Sequence, residues 1–108
     1  MIINLTPHDV NIYIDEDTML VLPKCEYPAR CTTSNVYLGE IDGVPIYHVV
    51  YEDVINLPDP MLGTIYVVSA IVAQAVKNRD DVFAPDTGAT ALRNSNGQIH
   101  AVRGLLKH

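Results

Sequence analysis

The sequence predicts an α/β protein with a mixed sheet: a β-rich N-terminal half, one strand–helix–strand unit at about 63–85, and a C-terminal β-hairpin. Three observations carry that prediction. The stretch GTIYVVSAIVAQAVKNRDDVFAPDTG, from Gly63 to Gly88, passes from β-branched patterning to helical patterning at Ser69 and back at Val82. Asn96-Gly97 lies between two short runs and is the strongest hairpin signal in the chain. The first half holds several runs rich in Ile, Val, Thr and Tyr, separated by Pro, Asp and Gly.

In order along the chain, Ile2–Leu5 reads as an opening strand and Thr6-Pro7-His8-Asp9 as a turn, with proline fixing φ. Val10–Ile14 and Met19–Leu22 flank the polar tip Asp15-Glu16-Asp17-Thr18 and form a hairpin. Three acids in four residues suggest a metal loop, but no glycine or bidentate glutamate follows at calcium-loop spacing, so a solvated turn is expected. Pro23–Arg30 is irregular. Ala29–Tyr37 supplies a strand or extended edge, and Asp42-Gly43 a tight turn. Pro45–Tyr51 is apolar on both alternating faces, which predicts a central strand covered on both sides, with His48 a core or rim histidine. The proline-punctuated Leu57–Leu62 leads into the strand Thr64–Val68. Ser69 is the N-cap of a helix over Ala70–Asn78, Arg79-Asp80-Asp81 a solvated break, and Val82–Ala84 the second strand. Gly88–Asn94 and Gln98–Gly104 are the arms of the closing hairpin, and Leu105–His108 is a frayed end.

Composition narrows the function classes. At 108 residues the chain is one domain, and 48% apolar content is enough for a packed core. Thirteen carboxylates against 7 Lys and Arg give a net charge of -6 with no basic cluster, so no nucleic-acid partner is expected. No apolar run approaches the roughly 20 residues of a membrane span. The opening MIINLTPHDV lacks a basic segment ahead of an apolar one, so the expected location is cytoplasmic. Cys25 and Cys31 are expected to be reduced thiols, a hairpin disulfide remaining open if the chain reverses at Tyr27-Pro28. No zinc set, and no cofactor, is expected from this pair.

Two strands joined by a helix pack most simply in parallel, which brings Ser69 and Asp86 to one sheet edge, where α/β proteins bind ligands. The first turn of the helix and Ser69 would favour a phosphate or carboxylate, with Asp86 and Thr87 reaching a sugar or base. A two-residue loop at Asn96-Gly97 would place Arg93 opposite His100, where it could assist with an anion. Tyr66, with Tyr37, Tyr47 and Tyr51, could stack on a base. Each has a plainer alternative: an N-cap, an Asx-turn, a surface pair, a core-edge ring. Neither GxGxxG nor GxxxxGK[ST] occurs, and no catalytic set can be assembled around Ser69 or the cysteines.

The segments INLTPHDV, IDGVPIYHVVYEDVINLPDP and GTIYVVSAIVAQAVKNRDDVFAPDTG resemble a family of small proteins encoded by bacteriophages and bacteria. The resemblance covers most of the chain and implies an origin, and for a phage protein a location in the host cytoplasm. It brings no reaction with it. Phage proteins of this size are often accessory factors, and one class sequesters the nucleotide signals of bacterial immunity as homo-oligomers. By that analogy the expected function is a homo-oligomeric sponge for a small anionic, nucleotide-like ligand. The alternatives are a protein-interaction factor that blocks a host enzyme through tyrosine-bearing strands, and a small nucleotide hydrolase with Asp86 as base.

Overall fold

A computed structural model describes all residues, Met1–His108. In chain order the elements are β1 (Ile2–Asn4), β2 (Val10–Tyr13), β3 (Met19–Leu22), β4 (Arg30–Ile41), β5 (Val44–Ile55) and β6 (Ile65–Val67). They continue with α1 (Ala70–Ala75), β7 (Val82–Pro85), β8 (Leu92–Arg93), β9 (Ile99–Ala101) and β10 (Leu105–Leu106).

The body is a four-stranded mixed sheet in the order β1-β6-β7-β10. β1, β6 and β7 are parallel, so the Gly63–Gly88 unit is the strand–helix–strand that its patterning predicts. β10 runs antiparallel on β7, Leu105 opposite Pro85 and Leu106 opposite Ala84. The chain end is therefore a sheet strand rather than a frayed tail, because Leu105 packs on a buried cluster and Asp86 N–H donates to Gly104 O at 3.0 Å. The sheet has two covered faces, and the alternation in β6 divides them. Tyr66 and Val68 face α1 with Leu5, Ala29, Val72, Ala73, Val82 and Ala84. Val67 faces the other way, with Val10, Ile12 and Leu22 of the β2–β3 hairpin and Val102. One residue of slip would exchange these sets, so the two clusters fix the register together.

α1 is shorter than the helical pattern over Ala70–Asn78 suggests. Ser69 Oγ accepts the Val72 N–H at 3.3 Å as its N-cap, but Val76 has left helical geometry at φ -120° and ψ 35°. Arg79 N–H then turns back to Val76 O at 2.8 Å. Arg79 and Asp81 are not simply solvated. The guanidinium donates to both carboxylate oxygens at 2.8 Å and to Pro58 O at 3.0 Å, clasping the proline-rich connection to the turn before β7. That hydrogen bond holds the Asp81 carboxyl below the usual carboxylate range and raises Arg79.

The largest departure concerns β4 and β5. They are 12 residues each and pair only with one another, so Pro45–Tyr51 is not a central strand and His48 is exposed. The tight turn is at Asp42-Gly43, both with positive φ (52° and 81°), the geometry of a two-residue hairpin loop. Apolar alternation on both faces identified a strand correctly, but nothing else in the chain covers it. The arm gives the molecule extents of 52 × 38 × 23 Å. Only its base touches the body, where Tyr51 hydroxyl donates to Gln74 Oε1 at 2.8 Å. Cys25 and Cys31 are free, half-buried thiols packed against the helix-side cluster. No helix is long and apolar enough to cross a membrane.

Candidate functional site

Three parallel strands end at one edge, and the segments that follow them build a cleft of about 460 Å³. After β1 come Thr6, Pro7, His8 and Asp9; after β6, Val68, Ser69 and Ala70; at and beyond β7, Pro85 and Thr87. Ile99, His100, Ala101 and Val102 close the remaining side. The volume lies within the range of small-ligand sites. Apolar floor and polar rim are both present: Val68, Ala101 and Val102 are buried, while His8, Ser69, Thr87 and His100 are exposed.

The walls are fixed by hydrogen bonds, several of them buried at Asn4. Asn4, at the end of β1, is 7% exposed. Its Nδ2 donates to His8 O at 2.9 Å, Leu22 O at 3.0 Å and Pro23 O at 3.2 Å. Its Oδ1 accepts the Thr6 hydroxyl at 2.7 Å and the Thr6 N–H at 2.9 Å. An amide is suited to this post because it donates and accepts at once. Asp9 is engaged as well, its Oδ1 accepting the Lys24 N–H at 2.8 Å. On the far wall Asn11 Nδ2 donates to His100 O at 3.0 Å, and Val102 N–H to Asn11 O at 2.8 Å, tying β9 onto β2.

A second, smaller depression of about 190 Å³ shares Pro7 and Ser69 with the cleft and is lined also by Arg30, Cys31 and Ile71. Ser69 therefore lines both the cleft, with His8 and His100, and the hollow, with Arg30. No three His, Cys, Asp or Glu side chains are grouped as a metal set.

Of the sequence-predicted residues, Ser69 and Thr87 line the cleft. Asp86 stands next to it but is committed to its own turn: Oδ1 accepts the Gly88 N–H at 3.1 Å and Oδ2 the Thr90 hydroxyl at 3.3 Å. Arg93 lies on the closing hairpin, donating to Gly97 O at 2.8 Å. It pairs with Ile99 rather than His100, because the loop is longer than two residues and the register shifts beside Arg93. Asn94 sets that longer loop, its Oδ1 accepting the Asn96 and Gln98 N–H groups. Tyr66 is 1% exposed, a core ring whose hydroxyl reaches Asp59 O at 3.4 Å. His8, His100 and Arg30 were not singled out from sequence as a set. They are far apart along the chain; His8 and His100 line the cleft, which the bridge between Ile12 of β2 and Val102 helps to close, and Arg30, at the arm base, lines the adjoining hollow.

No family model, no curated protein and no solved structure matches this chain.

Proposed function

We propose that the protein binds a small nucleotide-like ligand at the C-terminal edge of its parallel strands and holds it without converting it. The observation that carries this reading is the cleft itself: a ligand-sized hollow at the position where parallel α/β sheets bind, joined at Ser69 to a hollow that bears Arg30. Its apolar floor of Val68, Ala101 and Val102 suits a planar base. The hydroxyls of Thr87 and Ser69 suit a ribose, and the His8 and His100 rings can stack or hydrogen-bond. Arg30, lining the adjoining hollow, is the cation assigned to a phosphate beyond Ser69 in this reading. A six-residue helix contributes little dipole, and Ser69 already caps it, so Arg30 rather than α1 is assigned the anion. Binding without turnover is supported by the engagement of the nearby nucleophile and acids in local structure: Ser69 with Val72, Asp9 with Lys24, Asp86 with Gly88 and Thr90. The resemblance to phage-encoded proteins makes sequestration of a bacterial immune nucleotide the first biological role to test.

The experiment is a thermal-shift screen of the purified chain against mono-, di- and cyclic nucleotides, with the ligand analysed afterwards. A nucleotide present at 100 times its dissociation constant adds about 2.7 kcal/mol to stability. The reading predicts a shift by at least one nucleotide, its loss in Arg30→Ala and His100→Ala, and recovery of the nucleotide unchanged. A shift that persists in both variants, or a panel with no shift at all, contradicts it. A ligand recovered with altered mass replaces the sponge by an enzyme.

A further inference from the structure

The chain exposes more surface than a folded monomer of this mass should, and the β4–β5 arm carries a large share of its exposed apolar side chains. A chain of 11.9 kDa is expected to expose about 6,000 Å² when folded alone. This one exposes 7422 Å² and buries only 18 of its 108 residues. Its radius of gyration is 16.2 Å, against about 13 Å for a compact domain of this length. The excess, about 1,400 Å² per chain, falls in the range that each partner buries in an obligate homodimer, about 1,000–2,500 Å².

The excess has a location and a chemistry. Around the arm's outer half Val36, Tyr37, Leu38, Ile41, Val44 and Tyr47 are each between 49% and 66% exposed. Between Cys31 and Tyr51 the only carboxylates are Glu40 and Asp42, both beside the turn, and there is no lysine or arginine. Depletion of charge with enrichment of tyrosine and aliphatic residues is the composition of an interface centre. Tyr37 and Tyr47 already meet edge-to-face, with ring centroids 5.7 Å apart, and present a firm aromatic surface. Both outer edges of the arm are unpaired along 12-residue strands, and a two-stranded hairpin is marginal in water without something to pack on.

We infer that the arm is a self-association surface, covered in solution by the arm of a second copy of this chain. The outer half's two charges are both carboxylates at the tip, so the strand faces themselves carry no charge that would call for an oppositely charged partner, and they are apolar enough to be their own complement. A two-fold pairing is the simplest arrangement in which each copy covers the patch it also exposes. The area left over per chain is the amount such a pairing removes from water. The inference stands apart from the ligand reading, since the arm's outer half contributes nothing to the cleft.

The test is sedimentation equilibrium of the full chain over a wide concentration range, beside Val36→Lys/Leu38→Lys on the arm and Leu62→Lys on the body. Leu62 is also fully exposed and apolar but lies off the arm. The wild type and Leu62→Lys are expected at two or more times the chain mass, and Val36→Lys/Leu38→Lys at the chain mass with unchanged far-UV circular dichroism. Because both arm side chains are exposed, their replacement leaves the body's core untouched, and the spectrum verifies it. A wild type that stays monomeric throughout overturns the inference. So does assembly that survives the double substitution, or equal dissociation in Leu62→Lys. Should the double variant unfold, Leu38→Ser alone takes its place in the same measurement, with dissociation expected and unchanged assembly overturning the inference.

Discussion

The sheet body and the β4–β5 arm are made of similar residues and have opposite fates. Both are rich in Val, Ile and Tyr, yet Tyr66 and Val67 of β6 are 1% and 0% exposed while Tyr37 and Val36 of the arm are 56% and 49% exposed. In the body, each strand's alternation meets an element that the same chain supplies, α1 on one face and the β2–β3 hairpin on the other. Beyond the base of the arm the alternation meets no other element of the chain. Burial is therefore a property of the assembled partners rather than of the strand, and the arm's exposed apolar content is what the proposed second copy would cover.

The difference can be sharpened by substitution, and the largest effect is expected in the body. Asn4→Ala should lower unfolding free energy by about 3 kcal/mol in denaturant titrations, because it leaves the Leu22 and Pro23 carbonyls and the Thr6 N–H without their side-chain partner, while the Thr6 hydroxyl and His8 carbonyl keep each other. A loss below about 1 kcal/mol would mean that water replaces the amide and that the cleft wall does not depend on it. Arg79→Ala should cost about 2 kcal/mol by removing a bidentate, partly buried ion pair and the clasp on Pro58.

The same pair predicts a pH dependence. The folded Asp81 carboxyl titrates below its unfolded value, so its contribution is fully present above the ordinary carboxylate range and is lost as pH falls through the folded value. The stability gap between wild type and Asp81→Asn should accordingly narrow between about pH 5 and pH 2. A gap that stays constant across that window contradicts the pairing. The Arg79 shift is upward, so its contribution is lost only in strongly alkaline solution and does not enter this window.

Asp86→Ala should cost about 1 kcal/mol through its turn and change nucleotide affinity less than Arg30→Ala does. Calorimetric titration of both variants ranks them, and an Asp86→Ala that abolishes binding at full stability would return this residue to the site. The smallest effect is expected in the arm. At concentrations low enough to keep the chain monomeric, Val36→Ser should move stability by no more than about 0.5 kcal/mol, since the side chain is already in water.

What the sequence conveyed best was local chemistry. Ser69 announced a helix start because its hydroxyl has one natural use there, and Asp42-Gly43 announced a turn because positive φ favours those residues. The strand–helix–strand was legible from a change of period. Where a property depends on a distant segment, the signal weakened. Pro45–Tyr51 carries the pattern of a strand covered on both sides, and no residue within it says who does the covering. Leu105-Leu106 is too short to advertise a strand until β7 is placed beside it. A two-residue loop would set Arg93 opposite His100, but Asn94, an ordinary-looking polar residue, organises a longer loop and Arg93 pairs with Ile99. At the site, Ser69 and Thr87 followed from strand ends, whereas His8 and His100 in the cleft, and Arg30 in the hollow beside it, are set by tertiary packing of segments distant in the chain.

The contrast between body and arm can be measured in one experiment, hydrogen exchange with peptide resolution on the wild type and on Val36→Lys/Leu38→Lys. Amides in Ile65–Val68 and Val82–Ala84 should exchange at the same slow rate in both, because that sheet is completed within the chain. Amides from Val36 to Val49 should be protected in the wild type and exchange at least tenfold faster in the variant, because a second copy has been removed from them. Equal protection of the arm in both proteins would mean that the hairpin is held by the single chain alone, and would contradict the division drawn here between a self-sufficient body and a partner-dependent arm.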